Sequence, residues 1–162
     1  MLLLLIRHAN AGDRDAERWP DDRDRPLTDK GRKTQRDVSR FLRKRDLVPT
    51  MVLTSPWVRA AQTAEILVTE LGLPNPAVPC PALATEPDLQ RVAADVGEPG
   101  ADAVVALVGH SPWIEELGSL LLTGSGAGLK LDYPKSGVLA IEIARPEAGA
   151  GVLRFFLRPK MV

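Results

Sequence analysis

The run Met1-Leu-Leu-Leu-Leu-Ile6, broken abruptly by Arg7-His8, constrains the fold more than any other feature of the chain. A short apolar run ended by charge reads as a strand buried on both faces, which occurs where helices cover a parallel sheet. A second run of the same kind, Ala103-Val-Val-Ala-Leu-Val-Gly109, ends in His110, the only other histidine. In open α/β sheets the ligand crevice lies beyond the C-terminal ends of the strands. The two imidazoles and an arginine are therefore expected at that one place.

The intervening segments fill in the alternation. Residues 10–27, rich in Asp, Arg, Gly and Pro, read as a long functional loop. Thr28 caps a helix expected from Asp29 to about Arg45, with Val38, Phe41 and Leu42 inward and Arg32, Lys33, Arg36, Arg40 and Arg43 on a solvated face. Thr50–Thr54 reads as a strand, and Ser55-Pro56 as a cap with proline in the first turn of a helix ended by Gly72. A short strand is expected within 76–80, a helix near 87–96, and a helix capped by Ser111-Pro112 and running to about Leu122. Strands at 137–143 and 152–157 read as an antiparallel edge pair. The expected architecture is a single domain over residues 1–162, a three-layer α/β/α sandwich around a mostly parallel mixed sheet.

Charge and composition narrow the partners. Lys plus Arg equals Asp plus Glu at 21 each, which gives no field for nucleic acid. The opening apolar run has no basic flank and is too short to span a bilayer, so no membrane association is expected. One cysteine, Cys80, fits a reducing, cytoplasmic setting and is expected to be inert and partly buried. Two histidines and one cysteine make a metal site improbable, and no cofactor is expected.

Two histidines at the same topological position, with arginine nearby, suggest covalent phosphoryl chemistry. Arginine offers a phosphoryl group a planar, permanently charged fork, and a helix start adds backbone N–H donors. Arg7 adjoins His8, and Arg59 lies in the first turn of the helix after Ser55. A neutral imidazole at His8 can attack phosphorus, with His110 stabilising the displaced charge. Ser55 and Ser111 read as caps rather than nucleophiles, and Asp22 and Asp24 as solvated loop charges, with Asp24 able to orient Arg25 or a pocket arginine. Trp57 and Trp113 follow the first-turn prolines and can line the rim.

Four segments carry a resemblance: Arg7-His8-Ala9, Arg25-Pro26-Leu27-Thr28-Asp29-Lys30-Gly31, the stretch from Ser55-Pro56-Trp57 to Ala64, and Gly109-His110-Ser111-Pro112. In this order they resemble the histidine phosphatase superfamily, which includes phosphoglycerate mutases and acid phosphatases. Their spacing and the short chain are most similar to SixA-type phosphohistidine phosphatases. The resemblance implies a phosphoglycerate mutase-like fold, His8 as the phosphorylated nucleophile, and Arg7, Arg59 and His110 completing the phosphate pocket. Ala9 departs from the frequent Arg-His-Gly, which is harmless at negative φ. The proton-donating glutamate of the mutases and broad phosphomonoesterases has no clear match. Glu86 is the nearest candidate, although Thr85 and Asp88 give it the spacing of a helix-start carboxylate. A P–N bond needs less acid catalysis than a phosphate ester. The expected substrate is therefore phosphohistidine on a partner protein. The alternatives are a small phosphate ester, or a phosphate-binding domain without catalysis.

Overall fold

A computed structural model describes residues 1–162. Six strands form one sheet: β1 (Leu2–Arg7), β2 (Met51–Thr54), β3 (Val78–Pro79), β4 (Val104–Gly109), β5 (Val138–Glu142) and β6 (Val152–Leu157). Their order is β3-β2-β4-β1-β5-β6. The β2–β3, β2–β4 and β1–β4 pairs are parallel, while β1–β5 and β5–β6 are antiparallel. Four helices accompany them: α1 (Asp29–Lys44), α2 (Val58–Leu71), α3 (Leu89–Val96) and α4 (Trp113–Thr123). No helix is long and apolar enough to cross a membrane.

The period-two alternation of each strand sorts its side chains into two cores. Leu3, Leu5, Val105, Leu107, Leu139 and Ile141 face α3 and α4. Leu4, Ile6, Ala106, Val108, Val138 and Ala140 face α1 and α2. The chain is thus a three-layer α/β/α sandwich, and β1 and β4, apolar on both faces, are its central strands.

This layering creates the crevice. The chain leaves β1 toward α1 on one face and leaves β4 toward α4 on the other, so the connections diverge between two neighbouring strands. Arg7 pairs in register with Gly109, and the His8 N–H donates to Gly109 O at 2.9 Å. The strand pairing alone therefore brings the residues after each run, His8 and His110, side by side.

Helix boundaries differ from the sequence expectation where Ser-Pro was read as a cap. α2 starts at Val58 with Trp57 at its N-cap, and α4 starts at Trp113 with Pro112 at its N-cap. Ser55 Oγ accepts the Trp57 N–H at 3.3 Å but no N–H within the helix, and Ser111 donates to the Glu115 side chain in the first turn of α4 instead of accepting a backbone N–H. α3 starts at Leu89, capped by Asp88, whose carboxylate accepts the Gln90 and Arg91 N–H groups; Thr85 does not take part. Thr28 does cap α1, accepting the Gly31 N–H at 3.0 Å. The inward face of α1 holds Val38 and Leu42 with Phe41 only half-buried, and it also buries the polar Gln35 and Ser39. Cys80 is wholly rather than partly buried and donates to Asp95 Oδ2 at 3.0 Å; burial pushes its thiol up to about 12.

Gly31 ties α1 to the site. A Cβ there would lie 2.1 Å from Asn10 O, two residues beyond His8. Alanine gains about 1 kcal/mol in helix propensity, but overpacking against fixed backbone costs about 1–3 kcal/mol and occasionally more. Asn10 O also accepts both the N–H and the hydroxyl of Thr28, so it cannot move independently of the cap. Gly31→Ala is expected to lower the urea midpoint. An unchanged or higher midpoint would show that the helix shifts freely.

Candidate active site

His8, Arg59 and His110 are only 6%, 4% and 2% exposed, an unusual degree of burial for such polar side chains. Each has a specific hold. His8 Nδ1 lies 2.7 Å from Ala9 O. A carbonyl only accepts, so Nδ1 carries the proton and Nε2 keeps its lone pair. That lone pair faces Arg59, whose Nε–H donates to it at 3.3 Å. The Ala9 N–H is taken by Thr63 Oγ1 at 3.0 Å, and the Thr63 hydroxyl donates to Arg59 O at 2.7 Å. Ala9 has no positive φ, so its methyl group costs nothing.

Arg59 is oriented from the long loop. Its Nη1 donates to Asp22 O at 2.7 Å, and its Nη2 lies 3.3 Å from Asp22 Oδ2. The same carboxylate receives Arg25 Nε at 2.8 Å, and that hydrogen bond holds the Asp22 carboxyl below its ordinary range. Arg25 in turn donates to Gly12 O at 2.7 Å, closing the loop on itself. Asp22 is therefore the residue that orients Arg25 and Arg59. Sequence reasoning treated it as a solvated charge and looked to Asp24 instead.

Arg7 leaves the end of β1 and donates through Nη1 to Tyr133 O at 2.5 Å, while its buried Nε has no protein partner. The His8 and His110 rings have centroids 5.2 Å apart. His110 Nε2 shares a hydrogen bond of 2.7 Å with Ser55 Oγ, and its ring packs on Trp57 at 4.4 Å. Trp113 meets Trp57 edge-on at 6.0 Å, so the two indoles wall the His110 side of the site. Ser55 is thus the partner of His110; the Ser-Pro pattern pointed only to a cap. Its counterpart Ser111 donates to Glu115 Oε1 at 2.7 Å. Glu86 is exposed, and its side chain makes no hydrogen bond or ion pair with His8, His110, Arg7 or Arg59. No three His, Cys, Asp or Glu side chains cluster closely enough to hold a metal ion.

Burial, more than the neighbouring charges of Arg59 and Arg7, drives His8 from 6.5 to about 3. Burial followed by His8 and Arg59 lowers His110 to about 3 as well. Both rings are neutral in the folded chain at neutral pH. Between pH about 3 and 6.5 the unfolded chain binds protons that the folded chain does not. Their contribution to stability is full above 6.5 and is lost as the pH falls through that window. The unfolding free energy is expected to drop from pH 7.5 to 5, and less so in His110→Gln. An equal drop in both proteins would remove His110 from this account.

The fold and this constellation can be set beside known proteins. The model of the histidine phosphatase superfamily (branch 1) matches residues 3–84, about half the chain. The chain belongs to that superfamily. An uncharacterized protein of Picosynechococcus sp. is 38% identical over 144 residues, covering 87% of this chain and 84% of the relative. The protein histidine phosphatase SixA complexed with tungstate superposes with a TM-score of 0.81 at 26% identity, covering 99% of both chains. Phosphoserine phosphatase from Entamoeba histolytica, in complex with 3-phosphoglyceric acid, superposes with a TM-score of 0.69 at 15% identity, covering 97% of this chain and 96% of that one. At that identity it shares the fold alone, which is phosphoglycerate mutase-like. Histidine phosphatases of this fold carry out phosphoryl transfer or hydrolysis, and the match includes β1, the Asp22 loop, α1 and α2.

Proposed function

We propose that the chain is a phosphatase acting through a phosphorylated His8, and that its substrate is phosphohistidine on a partner protein. One observation carries the first part: the Nδ1 hydrogen bond to Ala9 O leaves Nε2 as a lone pair beside the Arg59 guanidinium. A nucleophile held in one tautomer is prepared for in-line attack without a proton transfer. In the first step Nε2 bonds to phosphorus as the substrate P–N bond breaks, and the substrate imidazole, protonated beforehand by water on its other ring nitrogen, leaves as the neutral ring. Arg7, Arg59 and a neutral His110 supply donors to the phosphoryl oxygens. In the second step water attacks phosphorus, inorganic phosphate leaves, and the lone pair returns to His8.

The substrate rests on the leaving group. No carboxylate contacts His8 or His110; Asp22, the acid nearest to Arg59, is already ion-paired twice. An alkoxide leaving group needs a proton donor more than an imidazole does. The likeness to SixA over the whole chain points the same way. A small phosphate ester is the second reading, with exposed Glu86 as its proton donor. The single free thiol, Cys80, fits a cytoplasmic protein.

The test compares phosphate release from a phosphohistidine carrier protein with release from an aryl phosphate. Higher kcat/KM on the phosphoprotein is expected, with no change in Glu86→Gln. Turnover confined to the ester and lost in Glu86→Gln would establish the second reading. Phosphate binding without turnover of either substrate would leave a binding domain.

A further inference from the structure

Lys135 lies outside all four motif segments and outside the matched residues 3–84. The connection from α4 to β5 nevertheless delivers it to the end of β1. The Ser136 N–H donates to Arg7 O at 3.0 Å and to His8 O at 3.3 Å, and the Arg7 N–H donates to Gly137 O at 3.2 Å. Ser136 takes a φ of 61° to make this turn. The segment is pinned further by Tyr133, whose hydroxyl donates to Leu5 O at 2.6 Å and accepts the Leu139 N–H at 3.0 Å.

From this position the Lys135 ammonium donates to Asn10 Oδ1 at 3.0 Å and forms no ion pair. An amide oxygen orients an ammonium without neutralising it, and two of its three N–H donors remain. The charges of Arg7, Arg25 and Arg59 reach it, and the carboxylate whose charge reaches it is the exposed Asp13. Partial burial followed by the like charges of Arg7 and Arg25 lowers its pKa, and its own charge is felt at His8. Of these four cations, Arg25 and Arg59 share Asp22, while Arg7 and Lys135 have no carboxylate partner. Holding an ammonium among guanidinium groups costs free energy that a bound dianion offsets.

We propose that Lys135 is a further donor of the phosphoryl pocket, its ammonium hydrogen-bonding a non-bridging phosphoryl oxygen while Asn10 aims it. The assignment rests on the phosphatase reading of the same site. Orthovanadate, a phosphate-like oxyanion, serves as the probe because it reads the pocket separately from turnover. Its dissociation constant is measured for the wild type, Lys135→Met, Lys135→Arg and Asn10→Ala, alongside KM, kcat and the thermal midpoint.

Lys135→Met is expected to weaken vanadate by about 10- to 100-fold, as for loss of a charge-assisted hydrogen bond. Lys135→Arg should recover most of that loss. Asn10→Ala, which keeps the charge, should lose less than Lys135→Met. Unchanged vanadate affinity in Lys135→Met, with a lower thermal midpoint, would overturn the proposal and make Lys135 a tether for the Asn10 loop. Weaker substrate binding with unchanged vanadate affinity would also overturn it, since Lys135 would then contact the substrate away from phosphorus. Wild-type chain that binds vanadate through Lys135 yet turns over no phosphorylated substrate would support this assignment while removing the phosphatase reading.

Discussion

His8→Ala is expected to lower kcat/KM on the preferred substrate by a factor on the order of 10⁴ to 10⁶, the range seen when a covalent nucleophile is removed. The fold should survive, because His8 supports it chiefly through its backbone: the N–H pairs with Gly109 O, and its carbonyl accepts the Ser136 N–H. Neither bond involves the ring. Circular dichroism and the thermal midpoint separate loss of chemistry from loss of structure. Residual turnover above about 1% of wild type, far more than removal of a nucleophile leaves, would mean that water attacks the substrate directly.

The second large effect is expected from a substitution that keeps the charge. Arg59 meets three acceptors at once: His8 Nε2 through Nε, Asp22 O through Nη1 and Asp22 Oδ2 through Nη2. A lysine has one nitrogen on a shorter, more flexible side chain and cannot span them. Arg59→Lys would leave Asp22 paired with Arg25 alone and the His8 lone pair without its donor. It would also remove the guanidinium from the Trp57 face, where Cζ lies 4.7 Å from the ring. Losing one preorganised donor to a transferring group costs about 10²- to 10³-fold in kcat. A fall of that size is expected, with a smaller change in KM. A variant within threefold of wild type, far short of that cost, would show that positive charge alone suffices there.

The contrast between Arg59 and Asp22 shows where the sequence was readable. His8, Arg7 and His110 follow strands whose apolar runs are continuous, so their position at the sheet's C-terminal edge follows from strand patterning and parallel pairing. Arg59 follows from the helix start after β2. Asp22 lies in a loop without periodicity, and no local rule distinguishes it from Asp21 or Asp24. Its role depends on the loop folding over α2, held by Arg25 on Gly12 O and by the Leu27 N–H on Gln62 Oε1.

The two Ser-Pro sites show a different limit. Capping chemistry is local and was the natural reading; Ser55 takes a tertiary partner, His110, while Ser111 turns to Glu115, four residues on in the first turn of α4. Each helix then begins at or after the tryptophan. Lys135 is further still from any sequence signal, since only the antiparallel return of β5 beside β1 brings it to His8. The sheet order was legible in kind, with a parallel centre and an antiparallel edge pair. The direct pairing of β5 with β1 was not, because nothing local specifies which central strand an edge pair joins.

The most direct test of the central claim is to look for the phosphoryl group on His8 during turnover. Wild-type chain is mixed with a phosphohistidine carrier protein, quenched in alkali to preserve phosphoramidates, digested, and the peptide containing Arg7-His8 is analysed by mass spectrometry. The account predicts a phosphoryl group on His8 that accumulates within a single turnover, decays with phosphate release and is absent in His8→Ala. Steady phosphate release with no phosphorylated His8, or with the label on another residue, would contradict it.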